Sequence, residues 1–206
     1  DPEWFWPAAI EDMGLEFSQP WDEVVDLSRG PEWATWFVGG KLNLARNCVH
    51  RWARGERADS AAAVWQSEDG DRRTLTYREL STEVTRLAEA LAALGVAAGD
   101  RVAIFLPMSP EVAIASHACA HVGAIQVPIF SGFAAPAVAQ RLQASEAKVV
   151  ITQRVSSRRG REVPMLSILE EARGEAPSVE HVVAAPWDEL VAECPGKLPP
   201  LEVESE

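Results

Sequence analysis

The sequence lacks an apolar run long enough to cross a membrane, which needs roughly 18 consecutive apolar residues. Its longest apolar stretch, 112–129, is interrupted by Ser116, His117, His121 and Pro128. It also lacks the basic, apolar and small-residue progression of a signal peptide at its beginning. We therefore expect a soluble protein of the cytoplasm that makes no contact with a membrane.

Cysteine and positive charge are both scarce. Cys48, Cys119 and Cys194 are odd in number and far apart, which predicts free thiols in a reducing compartment. The 19 Lys and Arg residues are outnumbered by 31 Asp and Glu residues, so the net charge is −12. Such a charge repels polyanions, and we expect no nucleic-acid partner. A local arginine cluster is informative because it runs against this background.

Three regions differ in pattern along the chain. Residues 1–58 hold six of the eight tryptophans and little periodicity, which predicts an irregular segment that wraps onto a body, with one short helix at 38–50. Residues 59–193 predict an α/β subdomain. Residues 194–206 are rich in proline and acidic residues and predict a linker. We expect the chain to be truncated at both ends.

The middle region alternates between strand and helix patterns. Residues 62–66 and 73–76 predict a β-hairpin, and Thr76 with Glu79 predicts the capping box of a helix that stops at Gly95. The further strands are predicted at 102–106, 125–130, 148–152 and 181–183, and the further helices at 111–121, 135–144, 166–172 and 187–192. This alternation predicts an α/β fold with a mostly parallel sheet and flanking helices.

Two segments after predicted strands are candidate binding sites, because ligands of open α/β sheets bind at the carboxyl ends of strands. In segment 127–133, Gly132 allows close backbone approach and Ser131 offers a hydroxyl. The alternative is an ordinary strand-to-helix turn, which these residue types favour when taken alone.

The second candidate segment is rich in arginine. Arg154 and the run Arg158, Arg159, Gly160 and Arg161 follow the strand predicted at 148–152 and lie on an expected flexible turn. Guanidinium groups match phosphate oxygens and stack on flat rings, which indicates a phosphorylated, nucleotide-like partner. A solvated loop is the competing interpretation, and residue types alone place it slightly ahead.

Patterns of known catalytic and metal sites are missing. His117 and His121 have the spacing of two ligands on a helix, but no third ligand and no adjacent glutamate accompany them. No pair of residues forms a recognisable nucleophile and base. We therefore predict no catalytic residue and no metal ligand, and the residues alone indicate an α/β domain with a basic loop.

Four stretches carry a resemblance to a known family: 36–43 with Asn47, 75–80 with 94–104, 123–133, and 158–161. Together they resemble the short-chain, acetyl-CoA synthetase-like branch of the AMP-forming acyl-CoA synthetases, within the adenylate-forming enzyme superfamily. The first stretch is the most specific. The second also resembles luciferases, aryl-acid ligases and the adenylation domains of peptide synthetases.

The resemblance implies a ligase that activates a short-chain carboxylate, such as acetate or propionate, with ATP and Mg²⁺ and then transfers the acyl group to coenzyme A. By the same resemblance, Arg158 and Arg161, with Arg159 and Gly160 between them, hold the phosphorylated nucleotide of CoA. Gly132 lets the backbone approach the pantetheine arm of CoA, with Ser131 beside it. Many relatives have two glycines in this turn, so Ser131 is a departure.

The family's ATP-phosphate loop, adenosine motif and catalytic lysine have no counterpart in these residues. The expectation is an N-terminal part of the ligase that is inactive by itself, with 194–206 leading toward the missing ATP-binding part. The alternative is a stand-alone α/β module that binds a nucleotide or a protein without catalysis. The acid substrate and the oligomeric state are not predicted.

Overall fold

The structure is a computed structural model that describes residues 1–205. Its helices are α1 (Pro2–Met13), α2 (Tyr77–Ala93), α3 (Pro110–His121), α4 (Ala135–Ser145), α5 (Met165–Arg173) and α6 (Asp188–Val191). Its strands are β1 (Glu23–Asp26), β2 (Thr35–Val38), β3 (Lys41–Leu42), β4 (Ala61–Gln66), β5 (Arg72–Thr76), β6 (Arg101–Ile104), β7 (Ile125–Pro128), β8 (Val149–Gln153), β9 (Ser156–Arg158), β10 (Arg161–Val163), β11 (His181–Ala185) and β12 (Val203–Glu204).

A four-stranded parallel sheet forms the centre of the fold, with the strand order β11-β8-β6-β7. Val102 and Ile104 of β6 face a core that contains α2 and α3, whereas Ala103 faces a second core that contains α4 and α5. The alternation of side chains along a strand explains why one strand serves both cores. The predicted α/β class with a parallel sheet and flanking helices is confirmed.

Helix α2 begins where its sequence signal lies. The Thr76 hydroxyl accepts the backbone N–H of Glu79, and the Glu79 carboxylate accepts the backbone N–H of Thr76 at 2.8 Å. Gly95, with φ of 81°, follows the end of the helix. The hairpin of β4 and β5 is antiparallel, as predicted. The structure confirms both elements. They could be predicted because the residues that specify each of them lie within a few positions of one another.

The first 58 residues are more regular than the predicted irregular segment. Helix α1 spans 12 residues and is capped by the Asp1 carboxylate, but most of its aromatic side chains are exposed, so it shows no apolar stripe. The helix predicted at 38–50 is wrong over its first half. The chain turns at Gly39, which has φ of 77°, between β2 and β3. A π-helical turn occupies Arg46–His50.

A fully buried asparagine joins three segments of the chain. Asn43 Nδ2 lies 2.9 Å from the Ala120 carbonyl oxygen, 3.3 Å from that of His121 and 2.7 Å from that of Leu201. Asn43 Oδ1 accepts the backbone N–H of Arg46 at 3.0 Å. The side chain thereby holds the end of α3 and the last described stretch of the chain against the N-terminal segment.

The last described residues return to the N-terminal segment. Strand β12 pairs antiparallel with β3, with Val203 opposite Leu42. The Ser205 hydroxyl donates to the carbonyl oxygens of Phe37 at 2.8 Å and of Gly40 at 3.1 Å. Residues 201–205 therefore contact the segment that also contains Asn43.

A buried chain of hydrogen bonds links α2, the π-helical turn and α3. Ser81 Oγ lies 2.8 Å from His50 Nδ1, and His50 Nε2 lies 2.9 Å from His121 Nδ1. His121 Nε2 lies 2.9 Å from the carbonyl oxygen of Leu198. Because a carbonyl oxygen accepts only, His121 carries a proton on Nε2. When both rings are neutral, His121 Nδ1 accepts and His50 donates from its own Nε2. The arrangement excludes two charged rings, which would set two N–H groups against each other, and burial disfavours charge on either ring.

Acidification is expected to destabilise the fold through these two histidines. Burial lowers the pKa of His50 from 6.5 to about 4, with help from the His121 ring and Arg54, and burial also lowers the pKa of His121. The unfolded chain binds these protons first. The free energy of unfolding should therefore be highest above pH 6.5 and fall toward pH 4, by up to about 1.4 kcal/mol per pH unit for each histidine.

Urea denaturation at several pH values between 7.5 and 5 measures this slope. His50→Gln should reduce the pH dependence, whereas His181→Gln, on β11, should leave it unchanged. An identical slope in wild type and His50→Gln would contradict the assignment of the dependence to the buried pair.

Candidate functional site

The candidate site lies at the carboxyl edge of the parallel sheet. From β6 the chain passes through α3 to β7 on one side, and then returns through α4 to β8 on the other side of β6. Helix α3 packs on one face of the sheet and α4 on the opposite face. The strand order therefore reverses beside β6, and ligand crevices of doubly wound sheets form at such a point.

A bend with two aromatic rings follows β7. The backbone N–H of Phe133 donates to the Phe130 carbonyl at 3.1 Å, and the two rings meet edge to face with centroids 5.4 Å apart. The Arg141 guanidinium lies 4.0 Å from the centre of the Phe133 ring and braces the bend from α4. Ser131 is half-buried in this bend, and Phe130 is 53% exposed.

The arginine cluster forms a β-hairpin instead of the flexible turn that we expected. Strands β9 and β10 pair antiparallel with Arg158 opposite Arg161. The two residues between them, Arg159 and Gly160, have φ values of 53° and 67°. Positive φ at both central residues is what a type I′ two-residue hairpin turn requires. We call β9, this turn and β10 the arginine hairpin.

The structure brings the two candidate segments together. The Arg158 guanidinium lies over the Phe130 ring, with its central carbon 4.8 Å from the ring centre. A Cβ atom added at Gly132 would overlap Arg158 Nη1 and lie 2.7 Å from Phe130 Cε1. Only a glycine leaves room for this guanidinium between the ring and the backbone. Sequence reasoning proposed both segments but did not predict that they touch.

The positive charges of this site are available to an anion. Within residues 1–205, the side chains of Arg154, Arg158, Arg159 and Arg161 form no ion pair. Glu68 approaches the hairpin, but it accepts hydrogen bonds from the backbone of the turn. The arrangement can therefore bind phosphate oxygens through guanidinium forks and pack a flat ring near Phe130.

A crevice of about 480 Å³ lies beside the arginine hairpin, between it and the turn of the β4–β5 hairpin. Residues after β6 and at the end of β8 line it, including Met108, which is 84% exposed, and Gln153. Trp65 Nε1 donates to the Met108 carbonyl at 2.8 Å, and both residues line the crevice. Sequence reasoning missed this crevice. The available signal was that residues 107–109 also follow a buried strand.

The two histidines with metal-ligand spacing are engaged in other contacts. His117 Nδ1 lies 2.7 Å from the Ala113 carbonyl, and both nitrogens of His121 belong to the buried hydrogen-bond chain. Among the residues that the structure describes, no group of three or more His, Cys, Asp or Glu side chains is arranged to hold a metal ion. None of the helices described is both long enough and apolar enough to cross a membrane.

Comparison with known proteins identifies the class that this fold and edge site define. The family model described as AMP-binding enzyme matches residues 49–203, so the chain belongs to the AMP-binding enzyme family. Residues 1–48 match the family described as acetyl-coenzyme A synthetase N-terminus. The resemblance drawn from the four sequence stretches is confirmed.

Individual relatives agree with this assignment. Acetyl-coenzyme A synthetase of Gemmatimonas aurantiaca is 44% identical over 89% of this chain and 27% of that protein. 3-Hydroxypropionyl-coenzyme A synthetase of Metallosphaera sedula is 40% identical over 88% of this chain and 28% of that protein. The solved structure of acetoacetyl-CoA synthetase from Streptomyces lividans superimposes with a TM-score of 0.87 at 29% identity, over 98% of this chain and 32% of that one. The chain thus spans about a third or less of the length of these relatives.

Proposed function

We propose that this chain is the N-terminal part of an acid–CoA ligase that activates a short-chain carboxylate and transfers the acyl group to coenzyme A. The observation that carries the proposal is the meeting of Arg158 with Phe130 and Gly132 at the carboxyl edge of the sheet. Relatives named as acetyl-, 3-hydroxypropionyl- and acetoacetyl-CoA synthetases support the substrate class.

The reaction divides into two steps with different demands. Carboxylate oxygen attacks the α-phosphorus of ATP, which releases pyrophosphate and forms an acyl adenylate. Mg²⁺, for which we propose no ligand in this chain, would neutralise phosphate charge when bound. The CoA sulfur then attacks the acyl carbonyl, and AMP leaves. We assign to this chain a part in the second step, because its unpaired guanidinium groups suit the phosphates of CoA and Gly132 leaves the backbone open to the pantetheine arm.

The roles within the site follow from position. Arg158 and Arg161 are opposite each other in the hairpin and are proposed to hold the phosphorylated nucleotide of CoA, with the turn of Arg159 and Gly160 setting their spacing. Ser131, beside Gly132, is proposed to face the pantetheine arm. We assign no catalytic residue and no metal ligand to this chain.

The domain boundaries of the chain and the cellular compartment of the protein remain predictions. We propose 1–58 as a wrapping segment, 59–193 as the α/β subdomain and 194–206 as the connection toward an ATP-binding part. Strand β12, near the end of 194–206, pairs with β3 of the proposed wrapping segment, which supports a connection that runs beside it. Unpaired thiols at Cys48, Cys119 and Cys194 support the cytoplasm as the compartment.

Removal of two arginines is expected to separate the two steps. In the full-length protein, acetate, propionate or another short acid should stimulate exchange of pyrophosphate into ATP. The double variant Arg158→Ala with Arg161→Ala should keep this exchange but raise the KM for CoA by about a hundredfold, the loss expected for two charge-assisted contacts. Steady-state thioester formation at varied CoA measures the second effect.

A matched control removes two exposed arginines from the wrapping segment, Arg29 and Arg57, and should change neither step. Equal loss of both steps in the hairpin variant would assign those arginines to the stability of the fold. Silence of the wild-type protein with a broad panel of acids would reject the ligase and leave a non-catalytic binding module.

A further inference from the structure

The arginine hairpin is held from outside by one carboxylate. Glu68 lies in the turn between β4 and β5, and its two oxygens accept the backbone N–H groups of Arg159 at 2.9 Å and of Gly160 at 3.1 Å. These bonds, with the neighbouring Arg158 and Arg159 charges, hold the pKa of Glu68 below its usual value. Two successive N–H groups in a left-handed turn form a concave site for an anion, and a side chain of the same protein occupies it.

The hairpin needs such a contact to keep a defined direction. Strands β9 and β10 form a separate two-stranded sheet of three residue pairs, and a hairpin of this size is marginally stable alone. Arg159 adopts φ of 53°, a conformation that disfavours residues with a Cβ atom. The bonds from Glu68 satisfy both turn N–H groups and tie this strained turn to the β4–β5 hairpin.

We infer that Glu68 is a positioning residue for CoA binding, which fixes the arginine hairpin so that Arg158 reaches the Phe130 ring and Gly132. The inference rests on the proposed function, because it concerns how the arginine hairpin of the proposed CoA site is positioned. Glu68 acts through the backbone of the turn and is separate from the side chains that meet the ligand. Glu68 also lines the crevice beside the hairpin.

Charge and position make opposite predictions for the loss of Glu68. A carboxylate close to Arg158 and Arg159 weakens the attraction of the hairpin for a phosphorylated ligand, so its removal should strengthen binding if charge alone mattered. Strengthened binding would also follow if Glu68 merely filled the place of a phosphate. A positioning role predicts weaker binding, because the guanidinium of Arg158 is no longer aimed at the bend.

The test compares Glu68→Ala, Glu68→Gln and the control Asp71→Ala in the full-length protein. Asp71 belongs to the same turn, and within the described residues its carboxylate makes no hydrogen bond or ion pair. Glu68→Ala should raise the KM for CoA by about tenfold, as expected for loss of one good hydrogen-bonded contact. Glu68→Gln keeps an acceptor oxygen and should show a smaller rise. Asp71→Ala should show none, and acid-dependent pyrophosphate exchange should stay unchanged in all three.

Amide hydrogen exchange at Arg159 and Gly160 reports the contact itself and should accelerate in Glu68→Ala but not in Asp71→Ala. Unchanged amide hydrogen exchange in Glu68→Ala, or a lower KM for CoA, would overturn the positioning role. Faster amide exchange without a change in the KM for CoA, or loss of acid-dependent pyrophosphate exchange, would overturn it as well. A wild-type protein that uses no CoA would reject the proposed function and this inference together. A CoA-using wild type with no difference between Glu68→Ala and Asp71→Ala would reject the inference alone.

Discussion

Replacing Gly132 with leucine is expected to reduce the CoA-dependent step by about 100-fold or more, while acyl-adenylate formation continues, because a displacement of about 1 Å at a positioned group can cost that much. Any side chain at this position meets the guanidinium of Arg158 and the ring of Phe130. The Arg158 group is the far end of a flexible side chain, so it should move aside without unfolding the protein. The added side chain should also occupy the path that we propose for pantetheine.

Single-turnover transfer from preformed acyl adenylate to CoA measures this effect directly. Gly132→Ala should show a smaller loss of the same kind, because one methyl group already overlaps Arg158 Nη1. Gly55→Ala is the matched control, since no atom lies within 4 Å of an added Cβ there. Full CoA-dependent activity in Gly132→Leu would contradict the proposed role of this bend.

Replacing Asn43 with alanine is expected to lower the free energy of unfolding by about 3 kcal/mol, since it removes a buried amide that bonds four backbone groups. The Leu201 carbonyl oxygen loses its amide donor and the Arg46 N–H loses its acceptor. The carbonyl oxygens of Ala120 and His121 lose one donor each and keep the backbone N–H groups of Gly123 and Leu201. For a chain of this length the melting temperature should fall by roughly 6–12 °C. Asn43 joins three segments of the chain, so a shift of one segment alone cannot restore the lost hydrogen bonds.

Thermal unfolding followed by calorimetry measures the change. Leu44→Ala, at the exposed neighbouring residue, should stay within about 0.5 kcal/mol of wild type. Asn43→Asp should destabilise more than alanine at neutral pH, because it turns a carboxylate oxygen toward three carbonyl oxygens. An unchanged melting temperature in Asn43→Ala would show that water replaces the amide at no cost.

Local signals predicted part of the fold well. The capping box of Thr76 and Glu79 and the stop at Gly95 bounded α2 correctly, because each signal acts within one or two turns of helix. Helix α1 was missed although Asp1 and Pro2 are good starting residues. Trp4 and Phe5 are apolar but exposed, so the helix lacks the alternation of apolar and polar faces by which an amphipathic helix is recognised.

The wrapping segment shows where local signals fail. The pattern of 38–50 suggested one helix, but the chain turns at Gly39 and buries Asn43 completely. The partners that make this burial favourable lie on α3 and near the last described residues. These partners are distant in sequence, so the residues next to Asn43 give no sign of them. The prediction therefore favoured a helix at the beginning of 38–50.

The candidate site divides in the same way. Composition alone singled out Arg158, Arg159 and Arg161, since a cluster of one charge stands out in an acidic chain. The turn of Arg159 and Gly160 was expected to be flexible, but pairing of β9 with β10 orders it. The crevice near Met108 escaped notice because three distant segments build it.

The amino-acid order by itself determined the alternation of strands and helices, the family resemblance and the concentration of guanidinium groups, because these depend on periodicity, motifs and composition along the chain. Only the tertiary structure decided that Arg158 lies against Phe130 and Gly132 and that Glu68 holds the neighbouring turn. These contacts join residues on different strands and hairpins. Their energies arise only when the sheet has brought those segments together, so no local rule could anticipate them.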